Sequence, residues 1–130
     1  MTMTNVCISI QNIDQALHHY SDFKDNWDQC GGVAPKKEAL NNASQFLNLI
    51  KRANLLILPS VFLSQDGEIN FIFEGSNCPI YIDIGFIESG YSYYAVDMNE
   101  DKILKDSNTY NEDELVCLLK IVQTTSIKVR

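Results

Sequence analysis

The chain has 130 residues, of which 45% are hydrophobic and 21% charged, and its formal net charge at pH 7 is −7. These values are typical of one globular domain spanning residues 1–130, and no apolar run approaches the ~20 residues that cross a bilayer. The whole net charge lies in residues 53–130, where twelve residues are acidic and five basic. This balance disfavours direct nucleic-acid binding and is compatible with a protein partner that has a basic surface, or with a surface that is only solvated.

The N-terminal part predicts a short strand and then a helix. Val6, Ile8 and Ile10 alternate with polar neighbours, as in a strand. Asn12 is placed to cap the helix that follows. The apolar face of this helix repeats at three- and four-residue steps: Ile13, Ala16, Leu17, Tyr20 and Phe23.

Histidine and cysteine spacing argues against a metal site, and no motif calls for a cofactor. His18 and His19 are adjacent, so on a helix their side chains point about 100° apart. The N-terminus lacks the pattern of a signal peptide, so we expect a cytoplasmic location and reduced thiols rather than two disulfides. The cysteines include no C-x-x-C pair: Cys7, Cys30, Cys78 and Cys117.

The single tryptophan lies in a loop between the first two helices. The Gly-Gly pair permits backbone conformations closed to other residues, and the proline suits the first turn of a helix. We predict that the tryptophan is a buried plug and that five residues shape this loop: Trp27, Asp28, Gly31, Gly32 and Pro35. The alternative role for the loop is catalytic, with Cys30 as a nucleophile that requires a nearby base.

Residues 36–52 carry the clearest helical pattern, with Lys51 and Arg52 complementing the dipole at its C-terminal end. We expect its apolar stripe to cover one face of a sheet, with Leu40, Phe46 and Ile50 over the isoleucines at positions 80, 82 and 84.

Residues 61–98 predict an antiparallel meander. Asp66-Gly67 is a hairpin signal, and further turns are expected at Gly75-Ser76-Asn77 and Glu88-Ser89-Gly90. Such short turns require antiparallel pairing. One face of the third run is apolar, and the opposite face carries Tyr81, Asp83 and Gly85.

The C-terminal part predicts one more short strand around Ile103-Leu104 and then a helix. Asn111 and Glu114 have capping-box spacing. The last residues, TTSIKVR, are expected to form an edge strand or a frayed tail. Together these elements predict an α+β fold: an antiparallel sheet of four to six strands with about three helices packed mainly on one face.

The order of the loop, the second helix and the first hairpin resembles a group of small, poorly characterised bacterial and mobile-element proteins. Their pattern is a Trp-Asp-Gly-Tyr-Gly-Ala-like loop, a Pro-led helix and an Asp-Gly-Glu-Ile hairpin. Gln29 and Cys30 depart from the Gly-Tyr pair. The resemblance covers about residues 26–86 and implies an α+β domain and a phage or plasmid setting, with no assigned activity. The matching positions are Trp27, Asp28, Gly31, Pro35, Glu38-Ala39, Ala43, Phe46-Leu47 and Asp66-Gly67-Glu68-Ile69.

We therefore expect a non-enzymatic, acidic, protein-binding regulator or inhibitor, of the anti-defence or antitoxin kind. It would occlude a basic or nucleic-acid-binding surface of a protein or nucleoprotein complex. Tyrosine is enriched at interfaces, and charged residues steer encounter. The predicted partner-binding residues are Tyr81, Asp83, Glu88, Tyr91, Tyr93, Glu100 and Asp101.

Two alternatives stay open at this point. A small hydrolase or nuclease would use Cys30 with His19, or Asp83 with Glu88, although neither pair has a diagnostic spacing. A structural module would form a homodimer through a sheet edge or an apolar helix face.

Overall fold

The computed structural model describes residues 10–53, 55, 57–74, 80–96, 102–107 and 109–129, with the side chains of 102–107 and 124–129 left out. Five antiparallel strands form one sheet in the order β1-β2-β3-β4-β5. The predicted α+β fold and its antiparallel meander are confirmed. None of the described helices combines the length and apolar content needed to cross a bilayer. The elements are α1 (Ile10–Tyr20), α2 (Lys37–Ala53), β1 (Ser60–Leu63), β2 (Ile69–Phe73), β3 (Tyr81–Ile87), β4 (Gly90–Val96), β5 (Lys102–Ser107) and α3 (Glu112–Val129).

The hydrophobic core lies between one face of this sheet and the helices. Ile84 of β3 pairs with Phe71 of β2 on one side and with Tyr93 of β4 on the other. The ring of Phe46 in α2 packs 5.0 Å from that of Phe71 and 5.2 Å from that of Phe86. Helix α2 contacts β2 and β3, and α1 and α3 pack beside it. Burial at roughly 25 cal/mol per Å² of apolar area stabilises this two-layer arrangement.

Helix α1 begins earlier than the sequence pattern predicts. It starts at Ile10, so Asn12 lies inside the helix and the predicted cap is wrong. Ile10 fits both a strand and a helix, because Ile10, Ile13 and Leu17 also recur at helical spacing. Ile10 packs against the core, and Ile13 and Leu17 are buried in it, which favours the helix. The rest of the predicted N-terminal strand, including Val6 and Ile8, lies outside the described residues.

Helix α3 confirms its predicted start and extends beyond its predicted end. The Asn111 side-chain oxygen accepts a hydrogen bond from the Glu114 backbone N–H at 3.1 Å, as an N-cap does. The helix runs on to Val129, so the prediction of an edge strand or a frayed tail is wrong. Once an apolar stripe is docked, adding further helical hydrogen bonds is cooperative, and the Thr and Ser residues there do not break a helix.

The first hairpin turns at Asp66-Gly67 as predicted, with a longer loop than a two-residue turn. Five residues separate Leu63 from Ile69, and only the glycine of the pair has a positive φ, +90°. The turn at Glu88-Ser89 joins β3 to β4 as predicted. The predicted turn at Gly75-Ser76-Asn77 lies outside the described residues.

Candidate protein-binding face

The face of the sheet turned away from the core is the candidate site, and we call it the outer face. Strand alternation sends every second side chain to this face. Its apolar members are absent from the hydrophobic core cluster, which lies on the helical side. The side chains that matter below are Phe62, Asn70, Ile72, Tyr81, Asp83 and Tyr94.

Aromatic and aliphatic side chains occupy part of the outer face. The rings of Tyr81 and Tyr94 meet edge to face with centroids 6.1 Å apart. Phe62 is 42% exposed, whereas Ile72 is 8% exposed although it is outside the core cluster. Amphipathic rings of this kind supply contact area and a polar handle at interfaces.

A hydrogen-bonded polar cluster adjoins these rings. Asn70 is buried, and its amide donates to the Asp83 carboxylate at 2.8 Å. The Ser64 hydroxyl donates to the Asn70 side-chain oxygen at 2.6 Å. The Glu68 carboxylate is hydrogen-bonded to the same amide and lies across Gly85, where a Cβ atom would collide with it. The Glu68 carboxylate can therefore lie on the sheet at this point only because Gly85 has no side chain.

Burial, and after it the charge of nearby carboxylates, raises the pKa values of Glu68 and Tyr81. Burial is the main cause of the raised pKa of Glu68, and the negative charges of Asp66 and Asp83 add to it. Burial also raises the pKa of Tyr81, with further contributions from Asp83 and Glu74. The acidic side chains are thus close enough for their negative charges to repel one another.

No described Lys or Arg forms an ion pair with these four carboxylates; the salt bridge found among the described residues joins Arg52 to Glu112, at 3.7 Å. The register of β5 adds one basic and one acidic position to the outer face, Lys102 opposite Val96 and Asp106 opposite Ser92. The described carboxylates therefore give this face negative charge that no described Lys or Arg side chain neutralises.

The predicted partner-binding residues divide into three groups. Tyr81 and Asp83 lie on the outer face, and Glu88 is exposed in the turn after β3. Tyr91 and Tyr93 are only 1% and 9% exposed, so placing them on an exterior surface was wrong. Their side chains lie on the face of β4 that the helices cover. Glu100 and Asp101 lie outside the described residues.

Sequence reasoning missed several members of the outer face. The predicted partner-binding residues do not include Tyr94, Glu68, Asn70 or Ile72. The available signal was strand alternation: Tyr94 follows Tyr93 directly, so its side chain lies on the opposite face from Tyr91 and Tyr93. Strand alternation separates two faces but does not identify the one that helices will cover.

Hydrogen bonds within the loop before α2 join several of its predicted residues, but Trp27 is only half-buried, so its predicted role as a buried plug is wrong. The indole N–H of Trp27 donates to the Val33 carbonyl at 2.9 Å, and its ring stacks on Phe23 with centroids 5.3 Å apart. Pro35 lies two residues before α2 begins. The Trp27 ring thus packs between Phe23 and the Val33 backbone and is not enclosed by the loop.

Asp28 organises the tip of this loop. Its carboxylate accepts backbone hydrogen bonds from Cys30 at 3.0 Å and from Gly32 at 2.7 Å. These bonds hold the pKa of Asp28 below its ordinary value, and the bond from Cys30 contributes most. Gly31 has a φ of +84°, and a Cβ at Gly32 would lie 2.8 Å from the Trp27 ring. The backbone conformation thus favours glycine at position 31, and the close contacts favour it at position 32.

Among the described residues, no hydrogen bond joins either residue pair of the catalytic alternative. Cys30 is exposed, and His19 is exposed with its ring edge-on to Phe23 at 4.9 Å. Asp83 lies mid-strand and Glu88 five residues further on, about 16 Å away along an extended chain. Within the described residues, no three His, Cys, Asp or Glu side chains cluster as metal ligands would.

No protein-family model, curated protein or solved structure matches this chain. The outer face is therefore interpreted from its own geometry.

Proposed function

We propose that this protein is a non-enzymatic regulator or inhibitor that binds a basic surface of a protein or nucleoprotein complex through its outer face. Binding occludes that surface and blocks what it normally contacts. The observation that carries the proposal is the acidic, tyrosine-bearing face outside the core, whose described carboxylates pair with no described Lys or Arg. Aromatic side chains provide contact area, and the surrounding carboxylates steer and orient a cationic partner.

The charge of the chain supports a protein partner over a nucleic acid. A net charge of −7 repels phosphate backbones, and nucleic-acid binding depends on Lys and Arg that displace counterions. The resemblance of residues 26–86 to mobile-element proteins favours a phage or plasmid setting and a cytoplasmic target. We accordingly assign the protein to the anti-defence or antitoxin kind of inhibitor.

The test is site-specific photo-crosslinking in a bacterial lysate. A benzoylphenylalanine at Tyr94 places the reactive group on the outer face, and the same residue at exposed Gln45 of α2 is the matched control. We expect a protein with a Lys- or Arg-rich contact peptide to crosslink from Tyr94 and not from Gln45. Equal crosslinking from both positions would overturn the proposal.

Charge reversal on the purified complex provides the second arm. Glu74→Lys changes an exposed carboxylate beside Tyr81, and Glu38→Lys makes the same change on the helical side. We expect about a tenfold weaker Kd for Glu74→Lys, which corresponds to 1.4 kcal/mol, and no change for Glu38→Lys. Binding should also weaken as ionic strength rises. Identical affinities for the two variants would contradict the assigned face.

A further inference from the structure

A groove of about 220 Å³ lies beside the outer face, and we call it the turn groove. It is bounded by the loop before α2, the β1–β2 turn and the β3–β4 turn. Glu68 belongs to both sites, because it lines the groove and also lies over Gly85 on the sheet. A partner that covers the outer face therefore reaches the turn groove without a break. The lining residues that matter are Val33, Ala39, Asp66, Glu68, Ile87 and Glu88.

The inside of the turn groove is apolar. Ala39 is buried at its base, while Val33 and Ile87 are 40% and 41% exposed on its walls. Single exposed apolar side chains are common, but two that converge on one concave site indicate a surface that another molecule covers. The volume is below the 300–1,000 Å³ typical of small-molecule pockets, so it suits one side chain.

Hydrogen bonds hold the walls of the groove in place. The Val33 N–H donates to the Gln65 carbonyl at 2.7 Å, and the Gln65 amide donates to the Cys30 carbonyl at 2.6 Å. On the opposite wall, the Asn42 amide donates to the Ile87 carbonyl at 3.0 Å. A groove formed before binding spares the partner the cost of ordering it.

The rim of the groove is acidic. Three carboxylates line it, from Asp66, Glu68 and Glu88, against one ammonium group, from Lys36. Lysine and arginine bury their aliphatic stems along apolar surface and keep the charged head at a polar rim. An apolar groove with an excess of rim carboxylates is complementary to such a side chain.

We propose that the turn groove receives one long basic side chain, Lys or Arg, from the partner segment that covers the outer face. The stem lies against Val33, Ala39 and Ile87, and the cation lies between Glu68 and Glu88. This inference rests on the proposed function, and it names the anchor that the partner supplies.

Capped tripeptides test the groove without the partner. The probes are Gly-Arg-Gly and Gly-Lys-Gly, with citrulline and norleucine versions as neutral controls. We expect amide NMR shifts at Val33, Gly67 and Ile87 with Kd values of roughly 1–10 mM for the cationic probes only. The ratio of the two Kd values shows whether the site prefers a guanidinium or an ammonium group.

Two variants separate the groove from the outer face. Glu88→Gln keeps the shape of the groove and should weaken the cationic probes about two- to fivefold, the range expected for an exposed ion pair. Glu74→Gln, on the outer face, should leave their Kd unchanged. Three results would each overturn the groove proposal. The norleucine probe could bind as tightly as the lysine probe, no shifts could appear at about 10 mM probe, or Glu88→Gln could leave the Kd unaltered. Crosslinking from Tyr94 that persists in that case would leave the proposed function standing.

Discussion

Two tyrosine hydroxyls near the start of α3 show how much one polar group matters at the residue scale. Tyr91 donates from β4 to the Glu114 carboxylate and thereby ties the sheet to the helix. The Tyr110 hydroxyl is buried with no hydrogen-bond partner among the described residues, and its burial raises the pKa of Tyr110 to about 12. Their rings lie 6.4 Å apart in the same part of the core.

Removing the hydroxyl should therefore destabilise the protein at Tyr91 but not at Tyr110. Tyr91→Phe deletes a hydrogen bond to a charged group, and we expect a loss of about 1.5–3 kcal/mol in the free energy of unfolding. Tyr110→Phe removes an unsatisfied hydroxyl, so it should be neutral or stabilising. Urea unfolding of both variants at pH 7 measures the difference. A larger loss in Tyr110→Phe than in Tyr91→Phe would contradict the hydrogen-bond assignment.

The raised pKa of Glu68 predicts a dependence of stability on pH. Its ordinary value is 4.5, and burial raises the folded-state value above that. Below pH 4.5 the group is protonated in both states. Its contribution to stability is lost as pH rises through the folded pKa, because the folded state then holds an ionised, half-buried carboxylate.

Glu68→Gln should consequently gain stability relative to the natural protein as the pH rises from 4, below the ordinary value of 4.5, to 7. Urea unfolding at both values measures this gain, and NMR titration of the Glu68 carboxyl should give a pKa above 4.5. Glu38→Gln, at an exposed position, is the matched control and should show no such trend. A gain that shrinks towards pH 7 would mean that ionised Glu68 is held by favourable contacts.

At the element scale, the docking of the loop onto the β1–β2 turn shapes the turn groove. Gly67 has a φ of +90°, and a Cβ there would lie 3.1 Å from the Ala34 carbonyl oxygen. Gly31 has a similar φ of +84°, but nothing lies within 4 Å of its Cβ position. The two glycines share the backbone requirement and differ in what surrounds them.

Alanine at these two glycines separates backbone strain from the fit of loop and turn. Gly31→Ala should cost about 1–2 kcal/mol, the usual penalty for a left-handed conformation. Gly67→Ala should cost more, because its methyl group also displaces the loop. Thermal unfolding of both variants checks the order, and NMR shifts at Val33 should change only in Gly67→Ala. Equal costs would show that the loop moves freely away from the turn.

For the whole molecule, the two-layer arrangement places the core on one side of the sheet. The helices and one sheet face hold the core, and the proposed partner would contact the opposite, acidic face. Variants of the core should therefore abolish folding, whereas variants of exposed outer-face residues should leave it intact.

Phe46→Asp tests the central contact between the layers. Phe46 is fully buried against Phe71 and Phe86. An unpaired carboxylate there costs several kcal/mol, a large part of the 5–15 kcal/mol that holds a typical domain together. We expect no cooperative thermal transition, while Phe46→Leu should keep one at a lower Tm. A cooperative melt of Phe46→Asp at the natural Tm would refute the packing.

Much of the fold follows from local pattern. The stripe around Phe46 predicts α2, alternation predicts β3, and Asn111 with Glu114 predicts the start of α3, because each signal depends on near neighbours in the chain. Less of the candidate site follows. Tyr81 and Asp83 were placed correctly, whereas Tyr91 and Tyr93 were assigned to the wrong face.

The sequence by itself determined the class of fold, the order of its strands and its concentration of acidic charge. Only the tertiary structure decided which side chains of β4 meet the helices, that Glu68 crosses Gly85, and that a loop and two turns distant in the chain line one groove. The reason is physical: periodicity divides each strand into two faces, but the face that becomes buried depends on elements far away in the chain.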